Sequence, residues 1–305
     1  MAAAARDIVG AEPPVAADSL TGMDARDAPT WLVVNEDSGS NDPDSVAALR
    51  DQLAAARMPV VRDVCFPTDE LPTPQALDAA GVGIVAIFTG DGSINALVTA
   101  LDGWGGRILV LPGGTMNLLS KRLHGDAGAE VIVARVADGD CTDTRPTIVG
   151  TDFGPGLSGV LVGPGTVWNE VREAMRDFDP AGIVGGTAHG LAESVSGPMV
   201  HCAEPGLGRA EGYPLLLLSP VEDGFTVLAY HAESAGEYAA QALALLKRDF
   251  REGPHDDLGT VRRLTIASTD GSPIGVLVDG EPAECSGRER FVLARAGVDL
   301  VATRG

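Results

Sequence analysis

The chain has 305 residues and a formal net charge of −21, and 45% of its residues are apolar while only 4% are aromatic. This length allows two domains, each with a core built mainly from aliphatic side chains. The charge argues against nucleic acid as a partner, because phosphate backbones require clustered lysine and arginine. The four cysteines are far apart in sequence, so we expect reduced thiols and a cytoplasmic protein, with peripheral contact at the inner face of a membrane left open.

In chain order, residues 1–29 are rich in Ala, Asp and Pro and are predicted to be a disordered acidic leader. Strands then alternate with helices over residues 30–125, which predicts a three-layer α/β domain with a parallel sheet. The predicted strands are 31–35, 59–66, 82–88 and 107–111, and the predicted helices are 43–57, 73–80, 93–102 and 116–123.

Residues 126–305 show a different pattern of short apolar runs separated by Gly, Pro and Asp turns. This spacing predicts an antiparallel β-sandwich domain. The first of the runs expected to be β-rich is VIVARVADG at 131–139, and helices are expected at 166–178 and 235–250. The predicted fold class is therefore α/β, with an N-terminal α/β domain followed by a C-terminal antiparallel sandwich.

The most informative motif is Gly-Asp-Gly-Ser at 90–93, directly after the buried run 82–88. Glycines let the backbone approach a ligand closely, and the N-terminus of the helix that follows favours anionic groups. An acid between two glycines suits phosphates that arrive with a metal ion, or a hydroxyl that must lose its proton. The alternative is that Asp91 only caps its own helix.

Two other predicted strands end in similar loops, NEDSGS at 35–40 and LPGGTMN at 111–117. Because the carboxyl ends of parallel strands share one edge of a sheet, all three loops are expected to form one phosphate-binding site. Taken singly, the first is compatible with a solvated turn and the second with an ordinary loop capped by Thr115. A Gly-x-Gly-x-x-Gly pattern at 154–159 precedes an apolar run rather than a helix, so we interpret it as a turn.

The ordered set VVNEDSGS, FTGDGSIN and VLPGGTMNLL resembles the diacylglycerol kinase catalytic-domain family, which includes bacterial lipid kinases and sphingosine kinases. The resemblance continues at Glu222–Phe225, similar to the family's Asp-Asp-Gly-Leu segment, and at Leu277–Pro282, similar to its Asp-Gly-Glu-Pro strand. It implies an ATP- and Mg²⁺-dependent kinase that phosphorylates a hydroxyl of a diacylglycerol-like or sphingoid-like lipid. The second domain would complete the acceptor cleft.

The resemblance also implies which residues contact the nucleotide. These residues are Asn35, Ser38, Gly39, Ser40, Thr68, Thr89, Gly90, Asp91, Gly92, Ser93, Ile94, Asn95, Gly114, Thr115 and Asn117. Of these, Thr68 rests on the loosest local match.

Catalytic and metal roles follow from the same resemblance. Asp91 would organise the magnesium-bound triphosphate or assist the acceptor hydroxyl, and Glu281, beside Asp279, falls where bacterial members place their general base. Asp223, with the carbonyls of Pro220 and Phe225, matches a magnesium site that supports the second domain. For Asp279 the alternative is a hairpin turn, because Asp-Gly is a strong hairpin signal.

Several positions depart from the family pattern, among them Glu36, Thr89, Ser93, Ala96 and Leu118. Two alternatives stay open. One is NAD kinase, whose Asn-Glu motif is similar to the sequence at Asn169-Glu170, and the other is a nucleotide-binding regulator without catalysis. We expect a lipid acceptor as the partner and no binding of nucleic acid. Transient contact with a membrane and formation of a homodimer are left open.

Overall fold

The computed structural model describes residues 29–35, 42–164, 199–230 and 255–303. Several predictions fall on residues outside these ranges: positions 1–28 of the leader, the turn at 38–40, the Asn-Glu motif at 169–170 and the two expected helices at 166–178 and 235–250. The described residues form three six-stranded sheets and five α-helices. No helix among them is long and apolar enough to cross a membrane.

The first sheet has the strand order β2-β1-β3-β4-β18-β5. Its first four strands are mutually parallel, β18 runs parallel to β4, and β5 is antiparallel to β18. Every residue of β1 and β3 is buried, as the apolar sequence of both strands requires for a sheet covered on two faces. The strands are β1 (Thr30–Val34), β2 (Val60–Cys65), β3 (Ile84–Thr89), β4 (Arg107–Pro112), β5 (Cys141–Thr144) and β18 (Asp299–Thr303).

Helices cover both faces of this sheet, which confirms the three-layer prediction. The helices are α1 (Pro43–Ala55), α2 (Pro74–Ala79), α3 (Asp91–Ala100), α4 (Leu118–His124) and α5 (Ala129–Ala137). One apolar core contains Leu77 of α2, Leu97 of α3 and Leu119 of α4. The other contains Leu53 of α1 and Ile132 of α5.

Helix α5 corrects one prediction. The run VIVARVADG was expected to be β-rich because of its valines and isoleucine, whereas Ala129–Ala137 is helical. Ile132, Val133 and Val136 recur at helical spacing and are buried against the first sheet. Here the burial of an amphipathic face overrides the β-propensity of branched side chains.

The other two sheets are antiparallel and enclose a second core. Their strand orders are β10-β9-β14-β17-β6-β7 and β13-β12-β11-β8-β15-β16. Val149, Leu264 and Phe291 of the former sheet pack in one cluster with Leu216 and Val276 of the latter. The strands are β6 (Thr147–Thr151), β7 (Gly154–Gly156), β8 (Val160–Pro164), β9 (Val200–Glu204), β10 (Gly206–Leu207), β11 (Leu215–Val221), β12 (Gly224–Tyr230), β13 (His255–Val261), β14 (Arg263–Ser268), β15 (Ile274–Val278), β16 (Glu281–Cys285) and β17 (Arg288–Arg295). The predicted fold class is confirmed.

The two parts of the chain are not simply sequential. Strands β5 and β18 both follow residue 126, yet they pair within the first sheet. The chain therefore leaves the parallel sheet after β5, forms the antiparallel sheets, and returns at β18.

Candidate active site

The ends of three strands share the carboxyl edge of the parallel sheet. Val34 of β1 is paired with Phe88 of β3, and Phe88 is paired with Leu111 of β4, so the residues that follow these strands start at one level. Asn35, directly after β1, contacts the helix after β3, because Asn35 Nδ2 donates to Ser93 Oγ at 3.2 Å. Thr68 is exposed in the turn after β2, the next strand outward.

The loop after β3 and the loop after β4 pack backbone against backbone. A Cβ atom on Gly114 would collide with Gly90 Cα, and one on Gly113 would lie 2.6 Å from Thr89 N. Only glycine fits at these positions, so the PGGT motif is required by the approach of two main chains. We call this contact, formed by Gly90, Gly113 and Gly114, the glycine cradle.

Asn117 holds the second loop in shape. It has a left-handed backbone with φ of 53°, its Oδ1 accepts from Gly114 N at 2.8 Å, and its Nδ2 donates to Gly114 O at 2.7 Å. The side chain of Asn117 is therefore committed to the loop itself. Thr115, two residues earlier, is exposed and can face a ligand.

Asp91 does not act as a side-chain cap of its own helix. It is the first residue of α3, and its Oδ1 accepts from Leu119 N at 3.2 Å, in the first turn of α4. Burial raises the pKa of Asp91, while the backbone amides of residues 117–119 and the charge of Lys121 act in the opposite direction. Asp91 thus joins the loop after β3 to the helix after β4.

The other predicted residues of this loop divide between core and site. Ile94 is fully buried in the first core, so its side chain is a packing group, and Thr89 is also buried. Ser93 and Gly92 lie in the first turn of α3, where backbone amides have no partner within the helix and favour an anion.

Glu281 comes from the antiparallel part of the chain and reaches this same helix turn. A Cβ atom on Gly92 would collide with Glu281 Oε1, so the carboxylate occupies the space above that glycine. Glu281 opens strand β16 and is exposed. An acid from the second part of the chain therefore stands beside the loop that carries Asp91.

Asp279, two residues before Glu281, is in the opposite situation. Its carboxylate is buried and accepts four hydrogen bonds, from Leu157 N at 2.7 Å, Ser158 N at 2.8 Å, Gly159 N at 3.0 Å and Asn95 Nδ2 at 2.8 Å. Burial raises the pKa of Asp279 to about 6, although the four donors favour the charged form. With this set of partners Asp279 is suited to positioning its neighbours rather than to accepting a proton from a substrate.

The amides at 157–159 belong to the Gly-x-Gly-x-x-Gly pattern that we interpreted as a turn. They form an anion-binding concavity whose anion is the protein's own carboxylate. Asn95 Nδ2 also donates to Pro155 O at 2.6 Å, so α3, β7 and the Asp279 turn are joined in one network. Sequence reasoning missed this network; the glycine-rich pattern was its only signal.

The predicted magnesium site is at the hairpin between β11 and β12. Pro220 and Phe225 are paired across the hairpin, and Asp223 is exposed in its turn. Arg262 Nη2 lies 3.8 Å from Asp223 Oδ1, and Arg262 Nε donates to Asp223 O at 3.0 Å. No cluster of three His, Cys, Asp or Glu that could hold a metal occurs among the residues the structure describes. A guanidinium therefore stands beside Asp223, and the metal role stays a prediction.

Comparison with known proteins agrees with this geometry. Residues 29–146 match the family model of the diacylglycerol kinase catalytic domain. A search of curated proteins gave no match.

Solved structures share the fold at low sequence identity. A diacylglycerol kinase from Bacillus anthracis str. Sterne is 13% identical with a TM-score of 0.56, over 90% of this chain and 97% of its own. A second protein of that organism, provisionally assigned as a diacylglycerol kinase, is 14% identical with a TM-score of 0.55, over 91% and 99% of the two chains. The resemblance found in the motifs is thus confirmed for residues 29–146, which match the model of the diacylglycerol kinase catalytic domain, and the solved structures show the same fold over most of the chain.

Proposed function

We propose that the protein is an ATP-dependent lipid kinase that transfers the γ-phosphate to a hydroxyl of a diacylglycerol-like or sphingoid-like lipid. The observation that carries this proposal is the position of Glu281 over Gly92. A carboxylate from one part of the chain, with no hydrogen bond or ion pair among the described residues, stands at the helix terminus of the other part that we propose binds phosphate. Such an arrangement suits in-line transfer, which requires positioning, shielding of charge and one proton acceptor.

The glycine cradle and the first turn of α3 provide the phosphate site. Gly90 and Gly114 bring two main chains together without side chains between them, and the amides of α3 favour an anion. Asn35 and Thr115 border the same edge of the sheet and would contact the nucleotide. Ser38, Gly39 and Ser40 keep their proposed contact role but lie outside the described residues.

Magnesium fits this site through carboxylate oxygens, since the ion usually binds one or two protein carboxylates together with substrate phosphates. Asp91 would hold the ion, which when bound would neutralise charge on the phosphates. Asp91 is tied to α4 through one carboxylate oxygen, so its position is fixed before substrate arrives.

The proton transfer is assigned to Glu281. The acceptor oxygen forms a bond to the γ-phosphorus while the bond from phosphorus to the leaving ADP oxygen breaks. The acceptor's proton passes to the Glu281 carboxylate, so charge and atoms balance. Asp279 fixes the turn that carries Glu281, through its four hydrogen bonds.

The test is phosphate transfer from labelled ATP with Mg²⁺ to a panel of diacylglycerol, sphingoid base and NAD, using Asp91→Asn as the matched variant. We expect a labelled lipid with the wild type and about a 10²- to 10³-fold lower rate with the variant, because a charge directed at the phosphates is removed. Labelled NADP would contradict the lipid acceptor. Nucleotide binding without transfer to any acceptor would support a regulator and overturn the kinase proposal.

A further inference from the structure

Glu289 of β17 carries a buried carboxylate for which the described structure offers no cation. The residue is 7% exposed, and its Oε1 atom is buried without a hydrogen-bond partner among the described residues. Burial raises the pKa of Glu289 and the charge of Asp152 raises it further, while the backbone amides of Asp152 and Arg290 act in the opposite direction. Buried acids usually have a cationic partner, because an uncompensated charge is costly to remove from water.

The two arginines that flank Glu289 in sequence do not lie on its side of the sheet. Glu289 is paired with Ile266 of β14, and Ile266 is paired with Cys202 of β9, so these three side chains project from one side. Ile266 and Cys202 belong to the second core. Because successive side chains of a strand alternate, Arg288 and Arg290 project from the opposite side, where both are exposed.

Asp152 brings a second carboxylate to the same place. It lies in the two-residue loop between Thr151 of β6 and Gly154 of β7, which are paired. The Thr151 hydroxyl accepts from Phe153 N at 3.0 Å and donates to Gly154 O at 2.7 Å, so this loop is closed without the Asp152 carboxylate. Asp152 is exposed, and both its amide and its charge act on Glu289. One carboxylate therefore faces solvent and the other is buried beside it.

A hard divalent cation matches this pair of acids. Mg²⁺ is usually held by one or two protein carboxylates together with water, and Ca²⁺ by carboxylates, main-chain carbonyls and water. The described residues contain no group of three His, Cys, Asp or Glu suited to a metal, so main-chain oxygens and water would complete the shell. The Cys285 thiol is near enough for the Glu289 charge to act on it. Burial raises the pKa of Cys285, so it remains a protonated thiol, which is a poor ligand for a soft metal.

The loop with Asp152 leads directly into the network around Asp279. Pro155, three residues after Asp152, accepts from Asn95 Nδ2 at 2.6 Å, and the amides of residues 157–159 donate to the Asp279 carboxylate. A cation on Asp152 would therefore fix the beginning of the segment that holds Asp279.

We propose that Asp152 and Glu289 bind a hard divalent cation, Ca²⁺ or Mg²⁺, which neutralises the buried carboxylate and fixes the loop between β6 and β7. The ligands differ from those of the magnesium positions predicted at Asp91 and Asp223. Binding at this site needs neither nucleotide nor acceptor, so it does not rest on the proposed kinase function.

The test is isothermal titration calorimetry of the full chain, freed of metal with a chelator, with calcium chloride and separately with magnesium chloride. It is carried out at neutral pH and physiological salt without nucleotide, so that weak binding to the acidic surface is screened. We expect at least one of the two ions to bind the wild type, and Asp152→Asn to weaken that binding at least about tenfold. The matched control is Asp140→Asn, which makes the same change at an exposed aspartate before β5 and should bind like the wild type.

Thermal melting separates a cation ligand from a packing residue. Saturating cation should raise the Tm of the wild type by at least about 3 °C and leave that of Glu289→Gln unchanged. Without cation, Glu289→Gln should melt no lower than the wild type, because it removes an uncompensated buried charge. A residue that only packs would instead lower the Tm under both conditions, which would contradict the cation site.

Four further results would overturn the proposal. They are no binding of either ion to the wild type, equal affinity in Asp152→Asn, a loss of binding confined to Asp223→Asn, and a wild-type Tm that follows pH but neither cation. The last would show that a proton neutralises Glu289. Circular dichroism verifies that each variant is folded. Absence of phosphate transfer would leave these results unaffected, so the cation site and the proposed kinase function fail independently.

Discussion

The parallel and antiparallel parts of this chain contribute different chemistry to the same place. The parallel part offers main chain: glycines 90, 113 and 114 pack without side chains, and the first turn of α3 presents its amides. The antiparallel part offers carboxylates, with Asp279 buried among four donors and Glu281 exposed above Gly92. Two acids separated by one residue thus have opposite environments. Asp279 holds Asn95 and residues 157–159 together, and Glu281 is the acid that we propose to react.

The largest expected effect is the loss of stability when Asp279 is replaced. Asp279→Ala leaves three backbone amides and Asn95 without their acceptor, and we expect the free energy of unfolding to fall by about 3–5 kcal/mol. Asn95→Ala, which removes one donor, should cost only about 1–2 kcal/mol. Urea unfolding of both variants measures the difference. A loss below that of Asn95→Ala would show that Asp279 does not hold the two parts together.

The next effect concerns the main-chain contact. Gly114→Ala introduces a methyl group against Gly90 Cα, and we expect a loss of about 1–3 kcal/mol together with weaker nucleotide binding. Gly105→Ala is the control, because a Cβ there meets nothing within 4 Å. If both substitutions have the same effect on thermal melting and nucleotide titration, the close contact between Gly90 and Gly114 is not required for stability or nucleotide binding.

The raised pKa of Asp279 also makes the stability of the protein depend on pH. The folded pKa of Asp279, about 6, lies above that of an ordinary aspartate, so between pH 4 and 6 the folded state holds a proton that the unfolded state has lost. Stability from this group therefore falls as pH rises to about 6 and is constant above it. From pH 5 to pH 7 the unfolding free energy of the wild type should fall by about 1 kcal/mol relative to Asp279→Asn. A relative increase over this range would contradict the assignment.

The smallest effect separates two roles of Asp91. Asp91→Ala removes the acceptor for Leu119 N and should cost about 1 kcal/mol, as the loss of a helix cap does. Asp91→Asn keeps an acceptor oxygen and should cost less, although both variants lose phosphate transfer. Unfolding and turnover measured on the same samples distinguish capping from catalysis. Equal destabilisation by both substitutions would argue against the capping contact.

The parallel part was largely predictable because its strands are apolar runs that end in glycine loops. The run from Val82 to Phe88 can only be a buried strand, and the loop at Gly90 must then lie at the carboxyl edge of the sheet. Helix α5 was missed because its β-branched residues have strand propensity, while the surface that buries them comes from α1, β4 and β18, which are distant from it in sequence.

The remaining features depend on contacts between distant segments. Nothing in the sequence near Asp91 indicates that it accepts from the amide of Leu119, and nothing near Asp279 indicates three amides from 157–159. Lys121, Arg122 and His124 are close together in sequence, yet they do not form one positive surface: Arg122 donates to Thr147 O and Leu157 O, and burial lowers the pKa of His124 to about 4.

The central claim is that the antiparallel part supplies the proton acceptor to a nucleotide site built by the parallel part. Its most direct test compares Glu281→Gln with Glu284→Gln, an exposed glutamate on the same strand, β16. We predict that Glu281→Gln lowers kcat by about 10²- to 10⁴-fold while nucleotide affinity stays within about twofold, and that Glu284→Gln resembles the wild type. Unchanged kcat in Glu281→Gln, or a loss confined to nucleotide affinity, would contradict the account.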